Sequence, residues 1–215
     1  MEMNKTLNKM VDFVGENNLI FDLKKSFQFT DEPKFFQYTS LINDFETDAP
    51  KDEESNGSAL DSLEDLSKIK SIGEAIERYC LAKFKKSKFI KENYKSIKNK
   101  AVNPLKFINY LEFNNKLIEK NNLFETKKMF WTNCEDYFHK KKILVPSQLI
   151  YVPYKEKEIM LRSPISNGAA CATSPNEAIY KGICELIERD AFMIYYLNSL
   201  VPEKIDLDSI QKKDL

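Results

Sequence analysis

Histidine is almost missing from this chain. The single one, His139, sits in the polar run "YFHKKK". That scarcity argues against catalysis built on a histidine general base. It also argues against a Cys/His zinc site, because Cys80, Cys134, Cys171 and Cys184 show no CxxC spacing and no local histidine. No apolar run is long enough to span a bilayer, and "MEMNKTLNKM" lacks the apolar stretch of a secretory signal, so a cytoplasmic protein is expected. There is no excess of either charge: Lys plus Arg and Asp plus Glu both number 33, for a formal net charge of zero. Coating nucleic acid or an anionic membrane is therefore not its expected work. With 42% hydrophobic residues in 215, the material suffices for one domain or two small ones.

What the chain does have is a short pattern written twice. "SIGEAIERYC" begins at Ser71 and "GICELIERDA" at Gly182, so Glu74, Glu77 and Arg78 correspond to Glu185, Glu188 and Arg189. Both copies lie in helical patterns. Asp61–Lys85 reads as a helix with Leu63, Leu66, Ile69, Ile72, Ile76 and Tyr79 on a broad apolar face. The second helix is expected from Pro175 to about Leu200, opened by the capping box Ser174-Pro175-Asn176-Glu177. Small residues, Ser67 and Ala178, stand seven positions before the first Glu of each copy, which suggests close packing on one side. The run "SNGAACATS" ahead of the second helix likewise allows close backbone approach, to a neighbouring element or to a ligand.

The remaining chain reads as β-structure and loops. "LIFDLKKSFQFT", "KFFQYTSLI", "FETKKMFWTNCEDYF" and "ILVPSQLIYVPY" have strand composition, the last limited to edge pairing or short strands by Pro146 and Pro153. "EIMLRSPIS" is expected to continue the sheet. Residues 44–58, acidic and glycine-containing, are expected to form a mobile loop, and the lysine-dense 86–100 reads as a solvated helix surface. The fold class is α+β: mixed β-structure packed against helices, two of which carry the Glu-x-x-Glu-Arg motif.

On a helix, positions i, i+3 and i+4 share a face, so each copy presents two carboxylates and a guanidinium together. Three readings follow. A surface ladder of Glu–Arg pairs, worth a few tenths of a kcal/mol each, is the reading for one copy alone. A carboxylate-bridged di-iron site needs Glu-x-x-His on two helices, which one histidine cannot supply. A site for hard cations, with Mg2+ held by Glu74, Glu77, Glu185 and Glu188 and bridging to phosphate, with Arg on the phosphate, is favoured by the duplication.

At these residues the chain resembles the YcaO superfamily of ATP-dependent enzymes that activate peptide-backbone amides. "SNGAACATSPNEAIYKGICELIERDAF" resembles the family's small-residue loop and E-A-x-x-x-G-x-x-E-x-I-E-R-D helix, "KSIGEAIERYC" its other helix, and "LVPSQLIYVPY" a strand between them. The resemblance spans roughly 56–210. It implies ATP and Mg2+ as cofactors, with Glu74, Glu77, Arg78, Thr173, Glu185, Glu188 and Arg189 at the nucleotide, and names no catalytic residue. At the family's frequent Gly-Asn pair stand Ala172 and Thr173, and Gly57 stands alone where two glycines are common. Family members continue well beyond the second helix, so 1–215 reads as one partial domain, the N-terminal half.

The implied function is cyclodehydration in bacteriocin-like natural-product biosynthesis. A Cys, Ser or Thr side chain of a ribosomal precursor peptide attacks the preceding amide carbonyl, the oxyanion is phosphorylated by ATP, and elimination gives a thiazoline or oxazoline. The nucleophile belongs to the substrate, so the enzyme needs no Ser-His or Cys-His pair. The alternatives are backbone thioamidation and a non-catalytic, peptide-binding scaffold. The implied partners are the precursor peptide and a leader-peptide-binding protein, in a homo-oligomeric enzyme.

Overall fold

The computed structural model describes residues 2–16, 18, 20–42, 56–108, 123, 125–154, 156–204 and 206. Helix α1 (Glu2–Glu16) leads into an antiparallel meander of β1 (Ile20–Lys25), β2 (Phe36–Ile42) and β3 (Gly57–Asp61). Helix α2 (Glu64–Ala82) lies against β2 and β3, and α1 packs on α2. A second meander follows, formed by β4 (Ile90–Asn93), β5 (Lys128–Asp136) and β6 (Lys141–Pro146). The one-turn helix α3 (Tyr94–Ile97) follows β4, and α4 (Pro175–Leu197) is the last element among the described residues. The fold is α+β, with antiparallel sheets and an isolated parallel bridge between Ala101 and Leu144.

Helix α2 reads differently from its apolar pattern. Ser67, Ser71 and Ala75 are buried at i, i+4, i+8, whereas Leu63 is 53% exposed. The serines tie the helix to the sheet: Ser67 Oγ donates to the Ala59 carbonyl at 2.9 Å, and Ser71 Oγ meets Ser40 Oγ at 2.7 Å. Gly57 makes the approach possible, since a Cβ there would lie 2.1 Å from the Ser71 carbonyl oxygen and 2.5 Å from the Ala75 nitrogen. Gly57 and Ser58 are thus strand residues and not the end of a loop; 44–55 of the expected loop lie outside the described residues. Ile72, Ile76 and Tyr79 pack on the other side, with Leu7, Met10 and Val14 of α1.

The second meander has its own core of Ile97, Ile108, Met129, Trp131, Leu144 and Leu161. The stretch 86–100 forms no continuous helix. Ile90 pairs with Trp131 in the sheet, and Trp131 Nε1 donates to the Glu92 carbonyl at 2.9 Å, which holds β4 as a strand. Asn93 then caps α3, accepting from Ser96 N at 3.0 Å. Strand β6 lies at the sheet edge and stops at Pro146, as its prolines require. "EIMLRSPIS" does not extend this sheet. Beyond the Trp131–Pro146 pair, the Phe130 amide is taken by Glu158 Oε2 at 2.7 Å, a side chain where a strand backbone was expected. Glu158 Oε1 also accepts from Tyr154 and Gln148, so the buried carboxylate is fully partnered and the segment stays irregular.

Helix α4 begins at the expected cap: Ser174 is extended and its Oγ accepts from Glu177 N at 3.3 Å. The reciprocal bonds of Glu177 go one residue further back, to Thr173 N and Oγ1, and hold the loop–helix junction. Along α4 only Gly182 is buried, and Ile187, Phe192 and Tyr196 are at least 62% exposed. Among the described residues, no helix is long and apolar enough to cross a membrane.

Candidate functional site

The duplication of the motif extends to the backbone amide that holds its first Glu. Glu74 Oε2 accepts from the Ser58 backbone amide at 2.8 Å, and its Oε1 receives Arg78 Nη2 at 3.2 Å. Glu185 Oε2 accepts from the Gly168 amide at 3.0 Å, and its Oε1 lies 3.7 Å from Arg189 Nε. In each helix, the first Glu is held by a backbone N–H from a segment packed on that helix and by the Arg one turn on. The surface-ladder reading thus accounts for the Glu–Arg pairs but not for the amides that anchor them.

Both helices face one cleft of about 1100 Å³, lined by Glu74, Glu77 and Arg78 on one side and Thr173, Glu185 and Arg189 on the other. Helices α2 and α4 meet there beside segment 166–173, whose Gly168 amide holds Glu185 while Cys171 lies near enough to Glu77 for its N–H to favour the charged carboxylate. Burial pushes the Glu77 carboxyl above its usual range. Arg78 opposes that rise, the charges of Glu185 and Glu74 add to it, and the Cys171 N–H opposes it. Carboxylates from the two motifs are therefore within electrostatic reach of each other. Glu188 is exposed and does not line the cleft. The Thr173 hydroxyl points back to Glu177 at 2.7 Å.

Cations also line the cleft: Lys5 and Lys9 of α1, Lys70, which pairs with Asp61 at 2.6 Å, and Lys181, which pairs with Glu177 at 3.1 Å. Among the described residues, Arg78 Nε is the one buried side-chain polar atom without a hydrogen-bond partner. Helix α1 and its lysines went unread in the sequence, although Leu7, Met10, Val11 and Val14 carry the i, i+3, i+4, i+7 spacing of an amphipathic helix. Histidine is absent from the cleft: His139 lies at the exposed β5–β6 turn, its Nδ1 2.7 Å from Asp136 Oδ2.

A family model described as "YcaO cyclodehydratase, ATP- and Mg2+-binding" matches residues 62–214. The chain belongs to the YcaO family. The matched span holds both motif helices and segment 166–173, and leaves out α1. Among solved structures, a heterocyclase in complex with substrate and cofactor is similar, with a TM-score of 0.74, 19% identity, and coverage of 99% of this chain and 31% of that one. YcaO from Methanopyrus kandleri, bound with AMPPCP and Mg2+, is similar with a TM-score of 0.62, 12% identity, and coverage of 91% and 44%. At these identities the likeness is one of fold. An uncharacterised protein of Methanothermobacter thermautotrophicus is 33% identical over 67 residues, 30% of this chain and 18% of that protein. The chain thus spans less than half the length of the YcaO and heterocyclase structures it matches.

The cleft suits the ligand of that family description. Three carboxylates face one another where one is already hard to ionise, and a divalent cation relieves that repulsion. The spare Arg78 donor and the lysines suit phosphate oxygens. Among the described residues no three or more acidic, His or Cys side chains are already clustered closely enough to hold a metal, so closure on a cation requires side-chain movement.

Proposed function

We propose that this chain forms the nucleotide-binding part of a YcaO-type enzyme, cytoplasmic, that makes thiazoline or oxazoline rings from Cys, Ser or Thr in a ribosomal precursor peptide. The observation that carries the reading is the convergence of both Glu-x-x-Glu-Arg helices on one cleft, lined by Glu74 and Glu77 of one and Glu185 of the other. Glu74, Glu77 and Glu185 would hold Mg2+, with Arg78 and Arg189 reaching phosphate oxygens. Glu188 is assigned to the metal and Thr173 to the nucleotide by family resemblance. When bound, MgATP supplies the phosphoryl group that makes the amide oxygen a leaving group.

The residues of this chain bind, orient and neutralise charge. Arg78 is held against Glu74, which presents its guanidinium to the cleft in a fixed orientation. The attacking thiol or hydroxyl comes from the peptide, which agrees with a cleft that contains no histidine. The exposed apolar length of α4 supports assembly with further polypeptide, whether the rest of a YcaO fold, a leader-binding partner or a second copy.

The test is mass spectrometry of a Cys- or Ser-containing peptide incubated with MgATP and the chain, alone and co-expressed with a polypeptide carrying the part of the YcaO fold it does not span. The expected result is little turnover alone and ATP-dependent loss of one water in the co-expressed pair, abolished by Glu188→Gln. A second reading, a peptide-binding scaffold, is favoured by the lack of a preassembled metal cluster among the described residues. Peptide binding without Mg2+-dependent nucleotide binding would select it.

A further inference from the structure

Gly168 and Gly182 meet where the two motif helices are joined. Resting on the reading of the cleft as a Mg2+–nucleotide site, we propose that this glycine pair is a positioning device. Their contact sets segment 166–173 at the one height from which the Gly168 N–H holds Glu185, the carboxylate that the second motif presents to the cleft.

The steric case is direct. A Cβ on Gly182 would lie 2.5 Å from the Gly168 carbonyl oxygen and 3.3 Å from its carbonyl carbon, backbone atoms that cannot rotate away. Gly182 is also the buried residue of an otherwise exposed helix, so the contact is local and specific. On the other partner, Gly168 has φ +85°, a conformation that L side chains rarely adopt, and a Cβ there would press on Leu186 at 3.1 to 3.2 Å. Both glycines are therefore constrained by the same interface, one turn from Glu185.

A methyl group at Gly182 must lift the segment by about 1 Å, since overpacking is relieved by backbone shifts. The 3.0 Å bond from Gly168 N to Glu185 then passes out of hydrogen-bond range. Without that amide, Glu185 keeps only its 3.7 Å ion pair with Arg189, and its position across the cleft from Glu77 is no longer fixed. The spacing of the charges across the cleft is thus set by a backbone-to-backbone contact far shorter than any side chain would allow. Outer partners that orient metal ligands in this way typically govern 10- to 100-fold in affinity.

The experiment uses the full chain with Mn2+ and AMPPCP as the probe, free Mn2+ being read by electron paramagnetic resonance. Gly182→Ala should weaken Mn2+–AMPPCP binding by about 10- to 100-fold. By NMR amide exchange on the ligand-free protein, it should also expose the Gly168 amide while the α4 amides away from the contact keep their protection. Because the glycine acts through Glu185, Gly182→Ala combined with Glu185→Gln should bind little worse than the weaker single variant. Fully additive losses, or a Gly168 amide that stays protected in Gly182→Ala, overturn the proposal. If Gly182→Ala does not fold, Gly168→Asn carries the same test, since asparagine tolerates positive φ better than alanine and its Cβ presses on the Leu186 side chain, not on backbone. Glu77→Gln and Glu185→Gln separate the two claims. If neither weakens binding, the nucleotide reading itself fails. If they weaken it and the glycine variants do not, only the positioning device fails.

Discussion

Gly57→Ala and Gly73→Ala should shift stability in opposite directions, although both touch helix α2. At Gly57 the new Cβ would stand 2.1 Å from the Ser71 carbonyl oxygen, 2.5 Å from the Ala75 nitrogen and 3.1 Å from the Ala75 Cβ. Two of these are helix backbone, so relief requires α2 to retreat from β3 by about 1 Å, an overpacking that costs about 1–3 kcal/mol. The retreat also stretches the Ser71–Gly57 and Ser71–Ser40 hydrogen bonds, worth about 1 kcal/mol each when buried. The combined loss is about 3 kcal/mol or more, a fall in Tm of about 6–12 °C for a chain of this size. At Gly73, in the interior of α2, the nearest atom is Met10 Cε at an ordinary 3.7 Å. Alanine fits there, and its better helix propensity should raise stability by about 0.5–1 kcal/mol. Circular-dichroism melts and urea titrations of the two variants decide the matter. A Gly57→Ala protein as stable as the wild type would refute the close helix–strand contact. Because Ser58 N holds Glu74, Gly57→Ala should in addition weaken nucleotide binding.

Further outcomes follow from the same geometry. Ser174→Ala removes the acceptor for Glu177 N and should cost about 1 kcal/mol, read as a fall in Tm of about 2–4 °C; an unchanged melt would show that Ser174 does not cap α4. Glu77 has its folded pKa raised by burial, so the stability its protonated form contributes is fully present below the unfolded carboxylate pKa and lost as pH rises through the folded value. Glu77→Gln, which cannot ionise, should therefore gain on the wild type as pH rises from the acid range to neutrality; a pH-independent difference in urea midpoints would contradict the assignment. Glu158→Ala strands the Phe130 amide and the Tyr154 and Gln148 donors in the second core, and should cost about 3 kcal/mol in urea unfolding.

Helical periodicity and the duplication made it legible that Glu74, Glu77, Arg78, Glu185 and Arg189 would share one cleft, but the same i, i+3 rule placed Glu188 there too, and its side chain is exposed outside it. The partners of each Glu were not legible. Ser58 and Gly168 contribute backbone amides, which leave no residue-type signature. The same limit explains the Gly57 reading: "SNGS" looks like a turn, yet the missing side chain serves a strand pressed on a helix. At 86–100, lysine density hid a strand whose identity comes from pairing with β5, a tertiary effect. "EIMLRSPIS" has strand composition, but Glu158 satisfies the ladder with its side chain and frees the segment from the sheet. In α1, the polar residues Asn8, Lys9 and Asp12 between Leu7, Met10 and Val14 masked the amphipathic spacing, and with it Lys5 and Lys9 in the cleft.

The central claim is that carboxylates from both motifs share one metal–nucleotide site. Isothermal titration of the full chain with AMPPCP, with and without Mg2+, tests it most directly when repeated on Glu77→Gln and Glu185→Gln. The account predicts binding that requires Mg2+ and weakens in both variants, although they lie on different helices. Binding that ignores Mg2+, or that survives loss of either carboxylate unchanged, would contradict it.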